Sequence, residues 1–324
     1  PTLAASGGDA AAGFAPDLVL ADLPLVTGGD ESAWAVAAAH MKPWRALAVS
    51  ASSGSEGYAE RTRLDAPARV GRLAAPLAPG SVEGRFDTAS ELVIDLPFGG
   101  FESLSRQAVL DGGNAVAVET AAGWEILQFE NAEEIEPGRW RLGSLLRGQA
   151  GTDDAMRAGT AAEARAVMLD RAIRPLGITA EEAGLSRNFI AELAGRSDGA
   201  VSGLVTFAGG LRARTPFSSV HMKATRIAGD VRFSWIRRSR VPEADSWSAV
   251  EIPLSEEAER YRITLLDGGD EIRVAETGEP GWTYPAADET VDFGGMRETF
   301  DIRVEQGGRS VPWGVAREAR VTVR

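Results

Sequence analysis

At 324 residues, with 44% hydrophobic and 25% charged side chains, the chain is long enough for about two domains that each bury a core. Its net charge of −13 argues against nucleic acid and anionic lipid as direct partners, because both require clustered cations. With no cysteine there are no disulfides and no thiolate chemistry, and no apolar run approaches the length of a transmembrane helix.

The opening "PTLAASGGDAAAGF" lacks a basic region followed by an apolar core. Residues 1–15 therefore read as a linker rather than a signal peptide, and the chain as a segment of something longer. From residue 16 to residue 213 the pattern is that of short strands. "DLVLADLPLV" and "RALAVSAS" are two of them, set among Gly, Ser and Ala-Pro loops. "ELVIDLPFGG" places Leu92, Ile94 and Leu96 on one face and Val93 and Asp95 on the other. "AVLDGGNAVAV" (108–118) reads as a hairpin turning at Asp111-Gly112-Gly113-Asn114. "GWEILQFENAEEI" and "GRWRLGSLL" are two strands separated by the turn Glu136-Pro137-Gly138, and "EARAVMLD" (163–170) is another. Helical periodicity is weak, with short helical turns expected near 153–161 and 180–185.

From 214 to 324 the composition changes to a compact sandwich. Seven strands are expected, in "VHMKATRIA", "VRFSWIRRSR", "RYRITLLDG", "DEIRVAET", "GWTYPAA", "TFDIRVEQ" and "AREARVTVR", the count of a fibronectin type III-like module. Its core should hold Val231, Phe233, Trp235, Ile263, Phe300, Ile302 and Val304, and "LDGGDEI" should be a Gly-Gly hairpin. Phe300 stands near the place where many such modules carry a loop-tying tyrosine. The fold class is thus all-β: a β-rich domain followed by a sandwich.

Chemistry is hard to find. The two histidines, His40 and His221, have no metal-ligand partner at helical or hairpin spacing, and "LDGGD" lacks the alternating oxygens of a calcium loop. "SSGSEGY" (52–58) has no strand-turn-helix context for a nucleophile elbow. The acids of "NAEEIE" (131–136) and "LSEEAER" (254–260) could supply a carboxylate pair, but read as solvated faces. In "LGSLLRGQAGTDDAM" (142–156), Gly151-Thr152 is followed by Asp153 and Asp154, which would repel phosphate, so the stretch is no phosphate loop. Leu145, Leu146, Arg147, Gly148, Gly151 and Thr152 read instead as an architectural signature, with Arg147 bonding carbonyls or a carboxylate. Trp124, Trp140 and Trp235 read as core. Trp247, Trp282 and Trp313, near strand ends or loops, are candidates for subunit or ligand contact.

These strings, in this order, carry a resemblance. "VLDGGNAVAV", "GWEILQF" and the "LLRG-x-x-GT" signature resemble the C-terminal region of the large baseplate or tail-tip (host-specificity) protein of gene transfer agents and siphophage-like particles. "LVLADLPLV" upstream, and "FSWIRRSR", "DSWSAVEIPLSEEAERYRI" and "VDFGG" downstream, extend it from about residue 16 to the end. Gln149-Ala150 departs from it, since relatives often carry more basic residues after the LLRG. The resemblance implies a non-enzymatic structural protein that closes the distal tail and contributes to host attachment and DNA delivery. It also implies a homotrimer touching hub and distal tail proteins and the host envelope, without a cofactor or metal. Such a protein, located at the tail tip of the particle, is made in the bacterial cytoplasm and released extracellularly. The alternatives are a carbohydrate- or receptor-binding module, marked by an exposed aromatic strip, and a cell-wall hydrolase, marked by two facing carboxyls.

Overall fold

The computed structural model describes residues 15–24, 31–80, 84–195, 199–240 and 252–324. The chain is all-β. Its first strands are β1 (Asp17–Asp22), β2 (Ala35–His40), β3 (Leu47–Ser52), β4 (Ala59–Leu64), β5 (Val70–Leu73), β6 (Phe86–Asp87) and β7 (Leu92–Asp95). There follow helix α1 (Arg106–Leu110), β8 (Ala115–Thr120), β9 (Gly123–Glu136), β10 (Arg139–Gln149), helix α2 (Asp153–Ala158), β11 (Arg165–Met168), β12 (Arg174–Pro175), β13 (Arg187–Leu193) and β14 (Val205–Phe207). The remainder comprises β15 (Val220–Ile227), β16 (Asp230–Ile236), β17 (Tyr261–Asp267), β18 (Asp270–Thr277), β19 (Gly281–Tyr284), helix α3 (Ala286–Phe293), β20 (Thr299–Gln306) and β21 (Arg317–Thr322). Two compact units result, one holding Ser32–Gly210 with β1, the other Leu211–Arg324.

The first unit is built around a closed barrel. Strand β10 pairs with β7 on one side and β9 on the other, which closes the antiparallel ring β10-β7-β5-β11-β8-β9, with β6 added beside the end of β10. Closure leaves these strands no free edge to manage. Leu92, Ile94 and Leu96 fill it as their alternation requires, together with Val116, Val118, Leu127, Phe129, Leu142 and Leu145. Phe101 meets Phe129 and Trp140 edge-on at 5.6 and 5.8 Å. Beside the barrel, β1-β2-β12 and β14-β13-β3-β4 form two further sheets, with Leu18, Leu20, Ala37, Leu47, Val49 and Phe189 buried in their shared core. Val19 and Ala38, on the other face of the β1–β2 layer, cluster with Val70 and Val167 of the barrel.

One expectation is corrected in this unit. Residues 108–118 are no hairpin: the first apolar run is the end of α1, and only Ala115–Thr120 is a strand. Ser105 accepts a hydrogen bond from the Ala108 amide at the helix start, and the Gly113 amide donates to Ala108 O past its end, so Asp111-Gly112-Gly113 is a helix stop. Strand β2, "AVAAAH", has the most helix-favouring composition of the unit yet is extended. It is buried on both faces between two layers, where alanines allow close approach.

The second unit is a seven-stranded fibronectin type III-like sandwich, with sheets β15-β16-β19 and β18-β17-β20-β21. Val231, Phe233, Trp235, Ile263, Phe300, Ile302 and Val304 are all in its core. The β17–β18 turn pairs Asp267 with Asp270 across Gly268 and Gly269, both at positive φ as a tight hairpin turn requires. Strand β16 ends at Ile236, short of "RRSR". Helix α3 is an addition to the expected strands. Its acids Asp288 and Glu289 lie in the first turn, and Gly294 ends it at φ +75°. Phe300 has no hydroxyl to tie a loop, and packs edge-on against Phe233, Tyr284 and Phe293. The tyrosine ties run elsewhere, from Tyr284 to Asp292 and from Tyr261 to Glu259, each at 2.7 Å.

Carboxylates held by arginines set the acid response. Hydrogen bonds from Arg226 keep Glu289 below its ordinary 4.5, those of Arg273 keep Asp292 below 3.8, and those of Arg61 keep Glu182 below 4.5. A carboxyl depressed in the folded state contributes stability that is present above its unfolded pKa and is lost as pH falls through the lower folded value. The thermal midpoint is therefore expected to drop steeply below about pH 4, in the range where these groups protonate. Glu289→Gln should flatten that acid limb while lowering the midpoint at neutral pH. A wild-type midpoint unchanged from neutral pH down to about pH 3 would count against the ion pairs.

Candidate functional site: the arginine-pinned end of the barrel

The expected signature residues come together at one end of the barrel. On β9, Glu125 keeps the inward parity of Leu127 and Phe129; on β10, Arg147 keeps that of Leu145. Their side chains therefore continue the inward row, and both are enclosed, at 2% exposure for Arg147 and 0% for Glu125. The guanidinium forks onto the carboxylate, Nε to Oε1 at 2.8 Å and Nη2 to Oε2 at 2.7 Å, and Nη1 donates to Ala78 O at 2.7 Å. The Gly148 amide donates to Glu125 Oε1 at 3.2 Å. A buried charge is tolerable only when paired and hydrogen-bonded, and this one meets both conditions.

Strand geometry brings the pair about. The register of β9 with β10 slips by one residue between Leu146 and Gln149, so Arg147 and Gly148 sit in a bulge. Gly148 has φ +63° and is buried, and a Cβ there would lie 3.1 Å from Met156 Sδ and 3.4 Å from Asp153 Cα. Thr152, fully buried, links the loop to the barrel: its hydroxyl donates to Gln149 O at 2.7 Å and accepts from the Ile126 amide at 3.0 Å. Helix α2 follows, with Asp153 buried and paired to Arg157 at 2.6 Å. Gly80 donates to Met156 O, and Leu77 and Thr160 bond each other, so α2 is laced to residues 77–80. Leu145 and Leu146 are buried, and Gly151 has φ +76°.

Gly148→Val is expected to destabilise the chain by roughly 1–3 kcal/mol, since a β-branched side chain is excluded from this backbone region and the neighbouring atoms are already close. Denaturant unfolding measures it; a change under about 0.5 kcal/mol would mean that the bulge is not needed.

Trp235 is core, whereas Trp124 and Trp140 are half-buried. Trp282 is the second residue of the four-residue β19, near its end as expected, and is stacked on Phe233 at 5.8 Å. Trp313 is half-buried, with the guanidinium groups of Arg260 and Arg262 over its ring at 4.4 and 5.0 Å. Trp247 lies outside the described residues. His40 has its pKa lowered by burial, and among the described residues no group of three ligating side chains converges. Of the acids in the two runs, Glu133 is engaged with Arg141, Glu136 with Arg139, Glu134 with the Gly138 amide, Glu256 with Arg240 and Glu259 with Arg237, and Glu256 is buried rather than on a solvated face.

Glu125 was not singled out from the sequence. Its signal is present, an acid at inward parity in the apolar "WEILQF", which calls for a buried cation.

A family model described as "Rcc01698-like, C-terminal" matches residues 68–167, less than a third of the chain. The match spans the closed barrel from just before β5 nearly to the end of β11, including Glu125 and Arg147. No curated protein matches the chain. Among solved structures, the rat CD45 extracellular region, domains d3-d4, aligns at 11% identity with a TM-score of 0.22, covering 37% of this chain and 56% of that one. The aligned part thus spans just over half the length of that structure.

Proposed function

We propose that the chain is a non-enzymatic structural part of the tip or baseplate of a phage-like tail of the gene-transfer-agent type. The observation that carries this reading is the coincidence of two signals on the same residues. The strings "LDGGNAVAV", "GWEILQF" and "LLRG", which resemble the tail-tip proteins, all lie inside the stretch matched by the Rcc01698-like model. The chemistry of that stretch suits architecture: the enclosed Glu125–Arg147 ion pair is consumed in holding β9, β10 and residues 77–80 together. In this reading the protein assembles as a homotrimer with hub and distal tail proteins and contributes to host-surface attachment and DNA delivery.

Particles from a producing strain carrying Arg147→Ala are the test. Fewer intact particles, with wild-type protein releasing no fragments from purified cell wall, are expected. Normal particle yield combined with a cell-wall hydrolysis that the substitution abolishes would overturn the reading. Native mass spectrometry of the purified protein, or of the particle tip, checks the trimer.

A further inference from the structure

In the sandwich unit, two adjoining recesses open where the β17–β18 turn, the segment after α3, the start of β20 and the end of β21 meet. The deeper one, of about 280 Å³, is lined by Asp267, Gly268, Phe293, Arg297, Thr299 and Arg320 among others. The second, of about 340 Å³, shares Leu266, Asp301 and Arg320 with it. From these groups we infer that the recesses form a binding site for a neutral saccharide.

The charges select the ligand class. Arg297 forks onto Asp267 at 3.1 and 2.9 Å, and Arg320 forks onto Asp301 at 2.8 and 2.6 Å. Each guanidinium is matched by a carboxylate, and the fifth charged lining group, Glu318, is held by Arg303 at 2.7 Å, so no spare cation is left for an anionic ligand. Each carboxylate is likewise held by a guanidinium, and no metal-ligating group of three converges among the described residues. An apolar ligand would have to desolvate two ion pairs without replacing their hydrogen bonds. Hydroxyl groups fit: they can donate to the remaining lone pairs of Asp267 and Asp301 and accept from Arg297 Nε and Arg320 Nη1, which lie outside the forks.

Phe293 is half-buried, edge-on to Phe300 at 5.7 Å, and the Arg297 guanidinium lies over its ring at 4.2 Å, so the ring holds that guanidinium beside the carboxylates. Gly268 and Gly269 have open space where a Cβ would stand, so a ligand can approach the turn backbone. The shared residues make the recesses continuous, which suits two linked rings. This inference concerns the sandwich unit alone and does not depend on the tail-tip reading.

The full chain, labelled with nitrogen-15, is titrated with maltose, cellobiose, lactose and N,N′-diacetylchitobiose while amide shifts are followed. At least one disaccharide is expected to give saturable shifts confined to residues 266–269, 293–301 and 318–320. Asp301→Asn and Arg320→Gln should each weaken that binding about tenfold, whereas Arg262→Gln, outside the recesses, should not. No saturable shift with any of the four, shifts centred elsewhere, or undiminished binding by both recess variants would overturn the inference. The wild-type shift map alone decides the case if a variant is poorly folded.

Discussion

Arg147→Ala is expected to destabilise the barrel unit by about 3–5 kcal/mol, among the largest effects of any single substitution in this chain. The substitution leaves the Glu125 carboxyl enclosed with no cation beside it, and removes the donor to Ala78 O. Removing one partner of a buried pair costs far more than the pair itself is worth, because desolvation of the survivor is no longer offset. A double substitution separates the two contributions. Glu125→Leu with Arg147→Met removes both charges at similar volume and should recover much of the loss, leaving about 1–3 kcal/mol from the unsatisfied Ala78 carbonyl and Gly148 amide. Urea unfolding of the wild type, both single variants and the double variant completes the cycle. Additive losses would show that the two side chains do not act as a unit.

Trp235→Ala is expected to cost the sandwich about 3–5 kcal/mol. The indole is 4% exposed and meets Tyr261 edge-on at 5.2 Å, in a core shared by both sheets. Close-packed neighbours relax only partly, so a cavity remains where the ring stood. The measurement is best made on Leu211–Arg324 expressed alone, which should melt in one cooperative transition that the substitution lowers. A non-cooperative transition in the wild-type fragment would reject this segment as an independent folding unit.

Sequence alone determined the strands whose two faces differ. Leu92, Ile94 and Leu96 alternate with Val93 and Asp95, and Val231, Phe233 and Trp235 with Arg232 and Ser234, and every residue of these two apolar rows is buried. The hairpins at Glu136-Pro137-Gly138 and Gly268-Gly269 were legible for a related reason, since turn chemistry is local and those backbones need glycine at positive φ. Arginine followed by glycine at the end of an apolar strand likewise marked Arg147 as a pinned position. Tertiary structure decided the rest. Strand β2 shows no alternation because it has no polar face, and only the two layers that cover it force alanines into a strand. Between two apolar runs the same Gly-Gly pair can stop a helix or turn a hairpin; packing of Val109 and the Ser105 cap chose the helix. Closure of the barrel brings β9 against β10 with a one-residue slip, and that slip presents Arg147 to Glu125, 22 positions earlier in the chain. Neither residue carries the other's position in its local pattern. The pairing exists because an enclosed carboxylate must find a cation, and the closed sheet leaves it this one.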